Sequence, residues 1–100
     1  MNKQRRNRTQ KVIDKLETLK FDDKQTLKEC IRELEDIRMD EEIAFDGMPE
    51  NLQSSMRGEE SEEALDSLQD AIDYLDEIDN ADSFGKMIED AISCLDFAWG

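Results

Sequence analysis

Residues 61–78 read SEEALDSLQDAIDYLDEI, and their apolar side chains fall at Ala64, Leu65, Leu68, Ala71, Ile72, Leu75 and Ile78. Steps of three and four residues return to one side of an α-helix, whereas a strand would need alternation, so this stretch reads as helix. Leu65, Leu68, Ile72 and Leu75 carry the pattern over about two heptads, as in a coiled-coil-like seam. A helix with one apolar stripe has to bury it, so the fold follows from its neighbours.

Downstream, DAIDYLD at 70–76 recurs as DAISCLD at 90–96. An offset of 20 residues is about 5.6 helical turns, so on one straight helix the two stripes would face nearly opposite ways. A break near Asp79 to Ser83 is therefore expected, with Asp82 or Ser83 capping a last helix over 83–98. Its stripe is Phe84, Met87/Ile88, Ala91/Ile92, Leu95 and Ala98, and Phe97 and Trp99 end the chain either packed on a helix end or as a docking anchor.

Upstream, a long helix over 23–46 is expected, capped by Asp22 with Gln25 as its capping-box partner and Phe21 covering the junction. Its stripe runs Leu27, Cys30/Ile31, Leu34, Ile37 and Ala44/Phe45, while Met39 and Ile43 begin a second apolar face that wraps its C-terminal end. Gly47 stops it by accepting a left-handed cap, and Pro49 by disfavouring helix at the residue before it. In the turn over 47–60, Met48, Leu52 and Met56 stand four residues apart and predict a short helical turn with an inward face, Pro49 at its first position. Residues 1–20 form a basic helix or arm with Val12, Ile13, Leu16 and Leu19 on one side. The expected fold is all-α, an elongated antiparallel bundle of three to four helices in a single domain spanning 1–100, with 61–79 as its acidic helix.

Several kinds of chemistry are excluded by what the 100 residues lack. There is no histidine, which removes Ser-His and Cys-His nucleophile pairs, imidazole zinc sites and the usual general base near neutral pH. Cys30 and Cys94 lie far apart on apolar stripes and read as buried free thiols. Asp79 to Gly85 suggests a calcium loop, but placing Gly85 at its sixth position puts Phe84 and Ala91 where oxygen ligands are required. Arg57-Gly58, after Ser54-Ser55, lacks the lysine and glycines of a phosphate loop and reads as a turn. The chain is thus expected to be no enzyme, and to hold no cofactor and no metal. It has no apolar run long enough for a signal peptide or a membrane span, so it is expected in the bacterial cytoplasm and off the membrane.

Charge is the distinctive property. Thirteen Lys and Arg face 27 Asp and Glu, for a net charge of −14, and only 37% of residues are apolar, which calls for efficient helices, self-association or a partner. Residues 1–20 carry seven basic side chains against Asp14 and Glu17, whereas between Glu59 and Asp96 Lys86 alone faces fourteen acids. Glu59, the pair Glu62/Glu63, Asp66, Asp70, Asp73 and Glu77 recur every three or four residues opposite Leu68 and Ile72, about 5–6 Å apart along the axis, similar to phosphates along a nucleic-acid strand. A soluble helix normally mixes signs, whereas this ladder opposes its own folding. Three readings stay open: a solvated face, a basic external partner, and neutralisation by the basic first helix of the same or a second chain. Direct nucleic-acid binding through Arg5, Arg6, Arg8 and Lys11 is disfavoured, because the acidic body repels phosphates.

The segment Met48 to Ile78, preceded by IRELEDIRMDEEIAFD, resembles a group of short acidic proteins encoded by phages and mobile elements of Gram-positive bacteria. The match is carried by Met48-Pro49-Glu50-Asn51-Leu52-Gln53, Arg57-Gly58 and Glu62-Glu63-Ala64, and covers about half the chain. At Asp79 to Gly85 this chain departs from the continuous helix of that group. The resemblance implies a phage-type origin and, by analogy of class, an inhibitor of a host enzyme that handles nucleic acid, such as an anti-CRISPR protein acting by nucleic-acid mimicry. The expected partner is then a host protein with a basic nucleic-acid-binding surface, met by the ladder with Met48, Leu52 and Met56 beside it. The alternative expectation is a homo-oligomeric structural or assembly protein, and a dimer is compatible with both.

Overall fold

Helices begin where a short polar side chain can accept from the free amides of the first turn. The computed structural model describes residues 1–99, which form α1 (Lys3–Glu17), α2 (Lys24–Asp46), the four-residue α3 (Glu50–Gln53), α4 (Met56–Asp76) and α5 (Ala81–Trp99). Asn2 opens α1 by accepting from the Arg5 amide at 2.9 Å. The cap of α2 is Asp23 and not Asp22: its carboxylate accepts from the Thr26 amide at 3.1 Å and the Thr26 hydroxyl at 2.7 Å, bonds that hold its pKa below the usual carboxylate value. Asn80, and neither Asp82 nor Ser83, caps α5, its side-chain oxygen accepting from the Ser83 amide at 3.0 Å. The break between the repeated segments therefore sits at residues 77–80, slightly earlier than their stripes suggest.

Two other helix ends differ from expectation. Gly47 closes α2 at φ −78°, ordinary right-handed backbone, so no left-handed cap is made there. Pro49 precedes α3 as its cap, with ψ 149°, and α4 starts at Met56, about one turn before Ser61. The close start is possible because of Gly58: a Cβ on it would lie 2.0 Å from the Gln53 carbonyl oxygen, so α3 rests its backbone directly against α4.

The four long helices enclose one core. Val12, Ile13 and Leu16 come from α1, Cys30, Leu34 and Ile37 from α2, Leu68, Ile72 and Leu75 from α4, and Ile88 and Leu95 from α5. Buried alanines on both α4 (Ala64, Ala71) and α5 (Ala91, Ala98) accompany the most extensive helix pairing in the molecule. α4 also packs on α2, and α1 packs on α2 and α5, so α1 and α4 occupy opposite corners of the section. Because α4 serves two neighbours, its buried face is centred on Ala64, Leu68, Ala71 and Leu75, and Leu65 is only half-buried at the edge. The molecule measures 46 × 19 × 17 Å between Cα extremes, consistent with α2, whose 23 residues span about 35 Å. Across the top, Phe21 meets Phe84 edge to face at 5.6 Å. Among the described residues no helix is long and apolar enough to cross a membrane.

Candidate functional site

Glu59, Glu62, Glu63, Asp66, Asp70, Asp73 and Glu77 lie within an arc of about 100° when each residue advances the helix by about 100°. All seven are exposed, with Leu68 fully buried on the far side, so the ladder is one continuous face of α4 and its C-cap. From Glu59 to Glu77 it runs about 27 Å. Among the described residues none of these carboxylates forms an ion pair.

The cations are engaged elsewhere. Arg8 on α1 reaches Glu33 at 2.8 Å and Asp40 at 2.5 Å on α2, and these two acids hold the guanidinium still more firmly in its charged form. Arg5 binds Glu41 at 2.5 Å, and the Arg6 guanidinium lies 5.4 Å from the centre of the Trp99 ring. Arg38 pairs with Glu42, and Lys86 with Asp90, each along its own helix. The basic first helix thus directs its ion pairs to α2 of its own chain. Among the described residues α1 makes no ion pair with the ladder, and it comes near it only at one end, where Arg6 and Glu63 line a common hollow.

Glu41 is the residue that sequence reasoning passed over. Its side chain is 1% exposed; Oε2 takes the Arg5 bond, Oε1 accepts from the Ser61 hydroxyl at 2.9 Å, and the Met1 amine stands 3.7 Å away. A buried carboxylate is tolerated only with such partners, so this group ties α1, α2 and α4 together at one end. The signal was present in the stripe: Leu34, Ile37, Glu41 and Ala44 continue the three- and four-residue steps with an acid in a core position.

The turn before α4 does not present the expected inward face. Met48 is half-buried, but Leu52 is 39% and Met56 76% exposed, so the turn has no inward face. At Gly58 the Gln53 backbone closes on α4, and the Gln53 side-chain amide donates to the Phe45 carbonyl at 3.0 Å, so Gln53 takes the inner side of α3 and Leu52 is left on the outer one. Met39 and Ile43 do not wrap α2 either: they are 59% and 64% exposed, Met39 beside Gln69 and Ile72 at the edge of the α2–α4 seam. Phe97 projects into solvent, whereas Trp99 is partly covered by Arg6. Cys30 is buried and Cys94 half-buried; burial pushes both thiols up and keeps them neutral. Comparison with protein-family models, curated proteins and solved structures gives no match, so the function has to be argued from these residues.

Proposed function

We propose that this chain is a phage-type inhibitor whose α4 face docks on a basic, nucleic-acid-binding surface of a host protein and excludes the nucleic acid by occlusion and mimicry. A CRISPR effector nuclease is the target to which the resemblance points. The observation that carries the reading is the exposed ladder, whose carboxylates form no ion pair among the described residues. Like charges at these spacings cost a helix stability, and the chain leaves them exposed while Arg5 and Arg8 pair with acids of α2. A face of carboxylates spaced like phosphates on an antiparallel helical bundle is suited to a groove lined with lysine and arginine, where charge also speeds encounter. Leu52 and Met56, exposed where α4 begins, add an apolar contact at one end of that face.

The test is capture of the tagged protein from a nuclease-treated lysate of a Gram-positive host expressing CRISPR components, washed at low and high salt. A salt-sensitive nucleic-acid enzyme should be retained by the native chain and lost by the combined Asp66→Lys, Asp70→Lys and Asp73→Lys variant, whose helix content should stay native. Equal retention by the variant would sink the mimicry reading.

A further inference from the structure

We propose that the seam between α2 and α4 is a homodimer interface, with a second copy of the chain related by a two-fold axis along the groove. Three hollows of about 260, 250 and 320 Å³ run down this seam and merge: the first two share Lys28 and Ile31, the last two share Glu35, and Asp76 lines all three. The first has an apolar floor of Leu27, Ile31, Leu75 and Ile78, whereas the other two are more polar, with Ile31, Met39 and Ile72 set among Glu35, Arg38, Glu42 and Gln69. Met39, 59% exposed, stands at the lower end. From Lys24 to Met39 the groove is about 22 Å long.

The charges on its two rims identify the occupant. At the upper end the α2 rim carries Lys24, Lys28 and Arg32, and the other rim carries Asp76 and Asp79 at the same height. Among the described residues none of these five is in an ion pair. Rotating a copy by 180° about the groove's own axis lays its α4 on this α2 and its α2 on this α4, top beside top. Lysine and arginine of each copy then face aspartates of the other, twice, over the apolar floor of the upper hollow. Rotation about the perpendicular axis in the same plane would set α4 on α4 and bring acids against acids, which complementarity disfavours. A uniformly basic partner would meet Lys24, Lys28 and Arg32 with like charge, so the groove suits a copy of itself better.

The rotation predicts a specific rescue. In sedimentation equilibrium the native chain should dimerise with concentration, more weakly as salt is raised. Lys28→Glu with Arg32→Glu, and separately Asp76→Lys with Asp79→Lys, should each weaken dimerisation by about a hundredfold, because both seams become repulsive. Mixed together, the two variants should form a one-to-one heterodimer, since each acidic α2 now faces a basic α4. The positions are exposed, and circular dichroism checks that folding is retained. Carbodiimide coupling of an equal mixture of isotope-labelled and unlabelled native chains needs no variant: it should join Lys24 or Lys28 of one copy to Asp76 or Asp79 of another. A native chain that stays monomeric, whether its groove is empty or filled by another protein, overturns the proposal, as does failure of the mixed variants to pair. These variants leave Asp66, Asp70 and Asp73 intact, so dimerisation and ladder binding fail or succeed separately.

Discussion

At the scale of single residues, Glu41 controls more than its number of contacts suggests. Removing Arg5 leaves a carboxylate that is 1% exposed with a hydroxyl and a more distant amine for company, the situation in which a broken ion pair costs most. Arg5→Ala should therefore lower stability by about 3 kcal/mol in urea or thermal melts, while Glu41→Leu in the same background should return much of it, because the charge is then gone. If the double substitution is no more stable than Arg5→Ala alone, Glu41 is not the group being stranded. Asp23 gives a pH signature. Its pKa is depressed by the Thr26 hydroxyl and amide, so its contribution is full above the ordinary carboxylate pKa near 3.8 and disappears as pH falls through the lower folded value. Asp23→Asn retains a capping oxygen without a titrating group. Its melting temperature should thus fall less steeply than the native protein's as the pH drops below about 4, and parallel curves would refute the assignment.

Among the elements, the two helical glycines outside the α2 terminus separate close approach from mere flexibility. Gly58 has the backbone of Gln53 where its Cβ would go, whereas Gly85, exposed in α5, has nothing within 4 Å. Gly58→Ala should force α3 away from α4 and lower the melting temperature, while Gly85→Ala should raise stability by about 0.5–1 kcal/mol, or several degrees for a chain of this size. Thermal melts of the two variants should move in opposite directions, and movement in the same direction would show that α3 does not bear on α4. The same contrast explains what could be read from the sequence. Apolar periodicity located the long helices and the break between the repeated segments, because burial of a stripe is a local pattern. Caps shifted by one to three residues since adjacent Asp22 and Asp23, or Asn80, Asp82 and Ser83, compete for one geometry that only the helix entry decides. The outward turn of Leu52 and Met56 was illegible, because it depends on a backbone contact between two elements.

For the molecule as a whole, segregation of charge was legible but its disposition was not: the count separates a basic start from an acidic remainder, while the pairing of α1 with α2 depends on which helices share a corner. That disposition sets stability against recognition. Neighbouring acids three or four residues apart each cost a few tenths of a kcal/mol, so the ladder from Glu59 to Glu77 opposes folding by roughly 2 kcal/mol. Asp70 sits in its middle, between Asp66 and Asp73, and a lysine there turns both repulsions into attractions, with Asp66 in the favoured position four residues before it. Asp70→Lys should consequently stabilise the fold by about 1 kcal/mol, raise the melting temperature by about 4–8 °C, and flatten its increase with added salt, since less repulsion remains to be screened. Capture of the basic partner by the same variant should become weaker. Stability and binding measured side by side must then move in opposite directions. A variant that gains stability and binds as before would mean that the carboxylates serve only solubility; one that loses both would mean that α4 owes its place in the fold to a contact made by Asp70.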